Sequence, residues 1–274
     1  MTITHLPPLT SPYPVSAADL ASYRRDGHVR LRGVANAGEV SAFRDVIAAG
    51  VRQLSTEDTP MDERDTYRRA FLQVGNLWRH DPAAAQFSLA NRFAGVAAAL
   101  LGVERVRLYH DQALFKEPQG GHTPWHQDAM YWPLDGHRCI TMWMPLVDVS
   151  PEAGGMCFAS GSHTAGPLSD VVISDASEDH FERLVSDRRF PIAAPIAMAA
   201  GDATFHSGWT VHKALPNAST SMREVMTVIW FADGLTVSPP ANPAQINDLA
   251  TWLPGARPGE VAATELNPLL PTAG

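Results

Sequence analysis

Two side chains of the kind that bind transition metals stand one residue apart near the middle of the chain. His126 and Asp128 flank Gln127 in a run that has the composition of a β-strand. Alternate residues of an extended strand point to the same side, so we expect the imidazole and the carboxylate to face a single ion. Two protein ligands are too few for a stable site, so the chain must supply a third.

His212 is the candidate for the third ligand, and Arg223 begins another strand-like run eleven residues later. Two histidines and one carboxylate form the facial triad that holds non-haem Fe(II) and leaves coordination positions open. A guanidinium pairs with a carboxylate through two parallel hydrogen bonds, so Arg223 suits the far carboxylate of a bidentate co-substrate. A lone H-x-D triplet is weak evidence, because such short motifs often occur by chance. The joint pattern favours an iron site.

Composition and charge restrict the kind of partner. The chain has 274 residues and a formal net charge of −8, with no run of lysine or arginine. Proteins that bind nucleic acid or anionic membranes carry basic patches, so we expect neither partner and predict a small-molecule substrate. Cys139 and Cys157 lie in apolar segments and are expected to be free, buried thiols. The N-terminus resembles no signal peptide and no apolar run is long enough to span a membrane, so a cytoplasmic location is predicted.

The secondary structure predicted to position these residues is mainly helical in the first part of the chain and mainly β-strand in the second. Helical patterns are predicted at 16–27, 38–54 and 87–101, and a charged surface loop at 55–68. Eight short strands follow, at 106–115, 125–128, 139–149, 156–158, 192–198, 203–206, 210–212 and 225–231. Short strands separated by Gly and Pro are typical of a double-sheet jelly roll. The prediction is a mainly β fold with flanking helices, a cupin-like double-stranded β-helix.

The chain is predicted to be a single catalytic domain over 1–274. It would comprise a helical N-terminal region at 1–104 packed on the barrel and a jelly-roll core at 105–232. A polar, acidic insert at about 165–190 is interpreted as a lid, and 233–274 as a C-terminal tail rich in Pro and Ala.

From Asp26-Gly27-His28-Val29 to Phe231 the chain resembles the phytanoyl-CoA dioxygenase family of Fe(II)- and 2-oxoglutarate-dependent oxygenases. The landmarks are Leu114 to Pro118, Trp125 to Asp128, Gly154-Gly155-Met156, Gly161-Ser162-His163, Gly201 to His206, and His212 through Asn217 to Arg223. The resemblance implies that His126, Asp128 and His212 bind iron and that Arg223 pairs with the distal carboxylate of 2-oxoglutarate. It also implies that Gln112 and Trp143 line the co-substrate site.

One position departs from the family pattern. Family members often carry a hydroxyl residue two positions after the distal histidine, where it helps to hold the co-substrate, but this chain has Ala214. Thr141, whose side chain should share a strand face with Trp143, is a candidate replacement. This is a hypothesis about the 2-oxoglutarate site.

Other residues have competing interpretations. His206 could replace His212 as a ligand, but only His212 has the short spacing to an arginine that matches the family. Four further histidines are expected to be surface or hydrogen-bonded residues: His110, His122, His137 and His163. Several large apolar side chains could shape a pocket, but core packing is favoured for each because aromatic residues dominate cores: Trp132, Met142, Met144, Phe205, Trp209 and Trp230. Lys116 is either a pocket charge or a surface residue.

The activity implied by the resemblance is hydroxylation of an unactivated C–H in a small, largely apolar metabolite, with secondary metabolism as the expected context. Fe(II), 2-oxoglutarate and O2 would be used, with release of succinate and CO2. Asp128 argues against halogenation, because related halogenases have a small residue in place of this carboxylate. Two alternatives stay open: a jelly-roll metalloenzyme that does not use 2-oxoglutarate, and a non-catalytic ligand-binding jelly roll. The sequence has no cluster of basic residues that would bind the phosphates of coenzyme A, so a coenzyme A carrier is not expected.

Overall fold

The helices of the N-terminal region have well-defined ends. The computed structural model describes residues 6–271, and its first helix, α1, spans Ala17–Asp26. Ser16 caps its start by accepting the backbone N–H of Asp19, and Gly27 ends it with φ of 78°. The helices that follow are α2 (Ala37–Leu54), α3 (Thr66–Ala70), α4 (Leu77–His80), α5 (Pro82–Ser88), α6 (Asn91–Leu101), α7 (Asp175–Asp187) and α8 (Pro243–Trp252).

Thirteen strands make up the rest of the regular structure among residues 6–271. They are β1 (His28–Leu31), β2 (Leu72–Gly75), β3 (Val106–Lys116), β4 (Thr123–His126), β5 (Leu134–Asp135), β6 (Cys139–Pro145), β7 (Met156–Ala159), β8 (Ile192–Ala193), β9 (Ala203–Ser207), β10 (His212–Ala214), β11 (Arg223–Ala232), β12 (Thr236–Val237) and β13 (Leu269–Leu270).

Two antiparallel sheets face each other. The larger has seven strands in the order β1-β9-β6-β11-β3-β13, with β2 also paired to β3, and the smaller has the order β4-β10-β7-β8. The neighbours in both sheets are far apart in sequence, as in a double-stranded β-helix. The predicted jelly roll is therefore confirmed.

The main core lies between the larger sheet and the helices that cover its outer face. Phe43 and Ile47 of α2 and Phe93 of α6 are buried against Phe205 and Trp230 of the sheet. β11 lies between β6 and β3 in this sheet, and it is buried over its whole length, as expected for a central strand. The two cysteines are free and buried, as predicted.

Several predicted elements differ from those observed. The strand predicted at 125–128 ends at His126, and a 3₁₀ turn over Asp128–Met130 follows it. The strand predicted at 139–149 ends at Pro145, and the one at 192–198 is reduced to Ile192–Ala193. The single helix predicted at 87–101 is two helices, because Ala90 has an extended backbone.

The segments predicted as loop and tail contain ordered structure. The loop at 55–68 holds a 3₁₀ turn, Met61–Glu63, and the start of α3. In the tail, β12 pairs with β5, β13 pairs with β3, and α8 lies against the barrel opening. No hydrophobic period marks these elements in the sequence, because the Pro- and Ala-rich segments of the tail are short.

The insert at 165–190 is attached to the smaller sheet. Glu178 of α7 accepts the backbone N–H of Trp125 at 2.8 Å and the Nζ of Lys213 at 2.6 Å. These contacts join the helix to β4 and β10. Movement of the insert as a lid stays a prediction. Within residues 6–271 no helix has both the length and the apolar character needed to cross a membrane.

Candidate metal centre

His126, Asp128 and His212 meet at one point between the two sheets. His126 lies opposite His212 in the pairing of β4 with β10. Nε2 of His126 is 3.4 Å and Nε2 of His212 is 3.6 Å from Oδ1 of Asp128. One ligand atom from each residue lies within 4.8 Å of the others. Asp128 reaches this point from the 3₁₀ turn after β4, so it does not share a strand face with His126 as the H-x-D spacing predicted.

The hydrogen bonds of the two histidines leave the correct nitrogen atoms available for a metal. Nδ1 of His126 is 2.7 Å from the carbonyl oxygen of Pro124, and Nδ1 of His212 is 2.9 Å from that of Thr210. A carbonyl only accepts, so each Nδ1 must carry the proton. Each Nε2 then presents a lone pair toward Asp128. The donor set therefore fits a divalent metal ion such as Fe(II).

The charges at this point suit a metal site. Burial opposes ionisation of Asp128, but His212, His126 and His206 around it outweigh burial and hold its pKa well below the usual value. Burial, followed by the proximity of His126, lowers the pKa of His212 well below 6.5. Metal ligands must be an ionised carboxylate and neutral imidazoles, and these are the states favoured for Asp128 and His212.

Asp128 uses its two oxygens differently. Oδ2 accepts a hydrogen bond from Oγ1 of Thr141 at 2.8 Å and lies 3.3 Å from Nε2 of His206. Oδ1 faces His126 and His212. This arrangement orients Asp128 to bind an ion through Oδ1 alone. His206, the competing candidate, lines the cavity on the Oδ2 side of the carboxylate, and the three-residue metal cluster found among residues 6–271 does not include it.

Arg223 is a buried cation without an anionic partner among the described residues. Its side chain donates to the carbonyl oxygens of Gly154 at 2.8 Å and Leu114 at 3.2 Å, and it lies 5.4 Å from the ring centre of Trp143. None of the ion pairs among residues 6–271 includes it. Burial lowers its pKa to about 9. A buried, unpaired guanidinium is costly, which indicates that an anion completes this site.

One cavity of about 330 Å³ connects these groups. It is lined by all seven side chains predicted for the site: Gln112, His126, Asp128, Thr141, Trp143, His212 and Arg223. Ala214 lines it too, whereas Lys116 is fully buried without lining it. Of the large apolar side chains considered for a pocket, Trp132 lines this cavity, while Met142, Met144, Phe205 and Trp230 belong to the main core.

The sequence did not indicate four further residues of the cavity. Thr123 lies opposite Ala214 across a shift in the pairing of β4 with β10. His110 of β3, expected at the surface or hydrogen-bonded, is buried and lines the cavity together with Asp248 and Trp252 of α8. No motif marked α8, and only the closure of the tail on the barrel brings it there.

Comparison with known proteins identifies the relatives of this chain. The family model for phytanoyl-CoA dioxygenase matches residues 23–225. A curated relative, 1-deoxypentalenic acid 11-beta-hydroxylase of Streptomyces exfoliatus, is 26% identical over 215 residues, covering 73% of this chain and 74% of the relative.

Solved structures give the same result. The non-haem α-ketoglutarate-dependent carbocyclase SnoK from nogalamycin biosynthesis is 26% identical, with a TM-score of 0.75 over 95% of this chain and 99% of its own. The epimerase SnoN, solved with Fe3+, α-ketoglutarate and nogalamycin RO, is 27% identical, with a TM-score of 0.73 over 92% of this chain and 97% of its own.

The fold and the site together define a non-haem iron oxygenase that uses 2-oxoglutarate. The chain belongs to the phytanoyl-CoA dioxygenase family. The predicted family, fold, enzyme class and cofactors are thereby confirmed.

Proposed function

We propose that the chain hydroxylates an unactivated C–H of a small, largely apolar metabolite and converts 2-oxoglutarate to succinate and CO2. The observation that carries this proposal is the position of Arg223. A buried guanidinium that has no anionic partner within residues 6–271 lines the same cavity as His126, Asp128 and His212. A 2-oxo acid requires both features, a metal for its chelating end and a cation for its far carboxylate.

The roles of the site residues follow from this geometry. His126, Asp128 and His212 would hold Fe(II), which when bound supplies the activation of O2 by oxidation of the 2-oxo acid. Arg223 would pair with the far carboxylate of 2-oxoglutarate, and the face of Trp143 would lie beside that pair. The side-chain carbonyl oxygen of Gln112 accepts a hydrogen bond from Gln73, which fixes its amide at the cavity wall.

The relatives support a metabolite of secondary metabolism as the substrate. The hydroxylase from Streptomyces exfoliatus is named for a small organic acid, and SnoK comes from nogalamycin biosynthesis. A cavity of about 330 Å³ lined by Tyr131, Trp132 and Trp252 suits a molecule of that size.

Ring closure or epimerisation is the second candidate outcome. SnoK and SnoN are described as a carbocyclase and an epimerase, and both are more than a quarter identical to this chain. The iron site would serve these reactions equally well. Analysis of the product distinguishes them, because only hydroxylation adds an oxygen atom to the substrate.

The test uses protein purified without oxygen. We expect Fe(II) and 2-oxoglutarate together to produce a weak visible metal-to-ligand charge-transfer band, and Arg223→Ala to require much more 2-oxoglutarate to reach the same intensity. Arg52→Ala, which changes an exposed arginine of α2, is the matched control and should behave as the wild type. An iron-loaded wild type without a band, which also forms no succinate in air, would contradict the proposal.

A further inference from the structure

The end of the cavity formed by α8 has a polar centre of its own. Asp248 of α8 is 8% exposed and His110 of β3 is 3% exposed, and both line the cavity. Both residues lie outside the iron-binding motifs. The helix α8 also lies outside residues 23–225, which the family model matches. The family resemblance therefore assigns no role to Asp248.

Asp248 keeps part of its hydrogen-bonding capacity free. Its Oδ2 accepts a hydrogen bond from the hydroxyl of Tyr109 at 3.1 Å, and the side chain of Trp252 is a second donor. A carboxylate has about four acceptor positions, so two donors leave room for another. None of the ion pairs among residues 6–271 includes Asp248.

His110 provides an independent sign that a ligand group belongs here. Its ring stacks on Trp252 with the ring centres 4.4 Å apart, which holds the imidazole in place. Its Nδ1 is buried and has no hydrogen-bond partner in the part of the chain that the structure describes. Burial lowers the pKa of His110 to about 4, so the imidazole is neutral at physiological pH. Buried polar atoms nearly always have partners, so an unpartnered one at a cavity wall points to a missing ligand.

The charges along the cavity limit what that ligand can be. Among the described residues that line it, Arg223 is the one lysine or arginine, and it lies beside Trp143 at the metal end. Burial raises the pKa of Asp248 to about 7, so above that pH the end formed by α8 has a carboxylate and, among the described residues, no cation to balance it. A carboxylate or phosphate of a substrate would be repelled there, whereas a hydroxyl or a protonated amine would be attracted.

The two ends of the cavity are close enough to act on one molecule. Tyr67 and Tyr131 line the cavity, and the charges of Asp128 and Asp248 both raise the pKa of each tyrosine, after the larger effect of burial. The tyrosines thus lie within electrostatic reach of both carboxylates. Because one cavity joins the two ends, a substrate that fills it contacts both Asp248 and the metal end.

We propose that Asp248 and His110 form a recognition site for a hydroxyl or protonated amine of the substrate, which is therefore neutral or cationic at the end opposite its reacting C–H. This inference rests on the proposed function. It separates the chain from its relative named for 1-deoxypentalenic acid, because an acid group has no cationic partner at this end of the cavity.

Three probes with one carbon skeleton test the proposal: cyclohexylmethylamine, cyclohexylmethanol and cyclohexanecarboxylic acid. Each is titrated at pH 8, where Asp248 is ionised, into the anaerobic full-length protein loaded with Fe(II) and 2-oxoglutarate, and its dissociation constant is measured by calorimetry. We expect the amine and the alcohol to bind at least about tenfold more tightly than the acid, as for a hydrogen bond to a charged group. No preference, preference for the acid, or no binding of any probe overturns the proposal.

Asp248→Asn tests which residue causes the preference. It keeps the size of the side chain and removes the charge, so we expect amine binding to weaken by about tenfold or more and acid binding to gain. Asp45→Asn, the same change on the exposed face of α2, should leave all three constants unchanged. Unchanged amine binding by a folded Asp248→Asn protein overturns the proposal. If that variant does not fold, the wild-type preference still decides.

The charge-transfer band separates this inference from the proposed function. It is recorded for the wild type before any probe is added. No band in the iron-loaded wild type means that the proposed function fails. A normal band without preference among the probes means that only the recognition site fails.

Discussion

The two ends of the cavity are built in different ways. At the metal end, His126 and His212 lie on paired strands, and the bonds from Thr141 and His206 fix Asp128. At the other end, α8 closes on β3 through one hydroxyl contact, from Tyr109 to Asp248, and the stacking of His110 on Trp252. Strand pairing thus fixes the reacting centre, and a helix added after the barrel forms the opposite wall. Such an arrangement allows the substrate to change while the chemistry stays the same.

The largest effect is expected from removal of the carboxylate at the metal end. Asp128→Ala takes away one of three ligands and leaves Thr141 and His206 without their shared partner. We expect Fe(II) to bind more than about 100-fold more weakly, since even loss of a residue behind a ligand costs 10–100-fold. Equilibrium dialysis under anaerobic conditions measures this. Coupled turnover should be lost, and hydroxylation at the wild-type rate would refute the role of Asp128 as a ligand.

A smaller loss of Fe(II) affinity is expected from replacing His206, which lies on the Oδ2 side of Asp128. His206→Phe keeps a ring of similar size but removes the nitrogen that lies 3.3 Å from Oδ2 of Asp128. We expect Fe(II) affinity to fall by about 10–100-fold, as for other residues that orient metal ligands. His137→Phe, at an exposed histidine, is the control. A loss of Fe(II) binding as complete as that of Asp128→Ala would show that His206 is itself a ligand.

The other end of the cavity should change stability with pH. Burial raises the pKa of Asp248 from 3.8 to about 7. The folded protein therefore keeps a proton on Asp248 that the unfolded chain releases near pH 4, and this residue makes the folded state less stable as pH rises from about 4 to 7. Tyr109, Tyr131 and Tyr67 have raised pKa values and do not titrate in that range. His110, whose pKa burial lowers from 6.5 to about 4, does titrate there and makes the folded state more stable as pH rises, so the effect of Asp248 is read from the difference between the wild type and an Asp248 variant.

Asp248→Asn removes this titration. We expect the variant to gain about 2 kcal/mol of unfolding free energy relative to the wild type between pH 5 and pH 8, roughly half of what the full shift corresponds to. Urea unfolding at the two pH values measures the difference, with Asp45→Asn as the control. A stability difference that does not depend on pH would mean that Asp248 is ionised throughout this range.

The two ends also differ in how much of them the sequence could predict. His126, Asp128, His212 and Arg223 carry recognisable chemistry at recognisable spacing, and the cavity brings all four together. The spacing was nevertheless interpreted with the wrong geometry, because Asp128 lies on a 3₁₀ turn that the strand pattern did not show. Asp248 and Trp252 were missed altogether, because their place depends on how the tail returns to the barrel, and no local pattern encodes a long-range contact of that kind.

The smallest effect concerns the hydroxyl that the chain lacks at Ala214. Thr141 was the hypothesised replacement, but its Oγ1 donates to Asp128. Thr123 lies directly opposite Ala214, because the pairing of β4 with β10 shifts by one residue between His212 and Ala214. The shift places Thr123 on the cavity wall together with His126, although the two are three positions apart in the sequence. Its Oγ1 is buried without a partner, as expected for a hydroxyl that binds a co-substrate.

Matched Thr→Val variants separate the two threonines, since valine keeps the shape and removes the hydroxyl. We expect Thr123→Val to raise the 2-oxoglutarate dissociation constant by about fivefold to tenfold with little change in Fe(II) affinity. We expect Thr141→Val to weaken Fe(II) binding with little change in the 2-oxoglutarate dissociation constant. Thr123→Val should also leave the melting temperature of the free protein unchanged or raise it, because an unpartnered polar atom is removed. If Thr141→Val alone weakens 2-oxoglutarate binding, then Thr141 supplies the missing hydroxyl and its bond to Asp128 must be exchanged when the co-substrate binds.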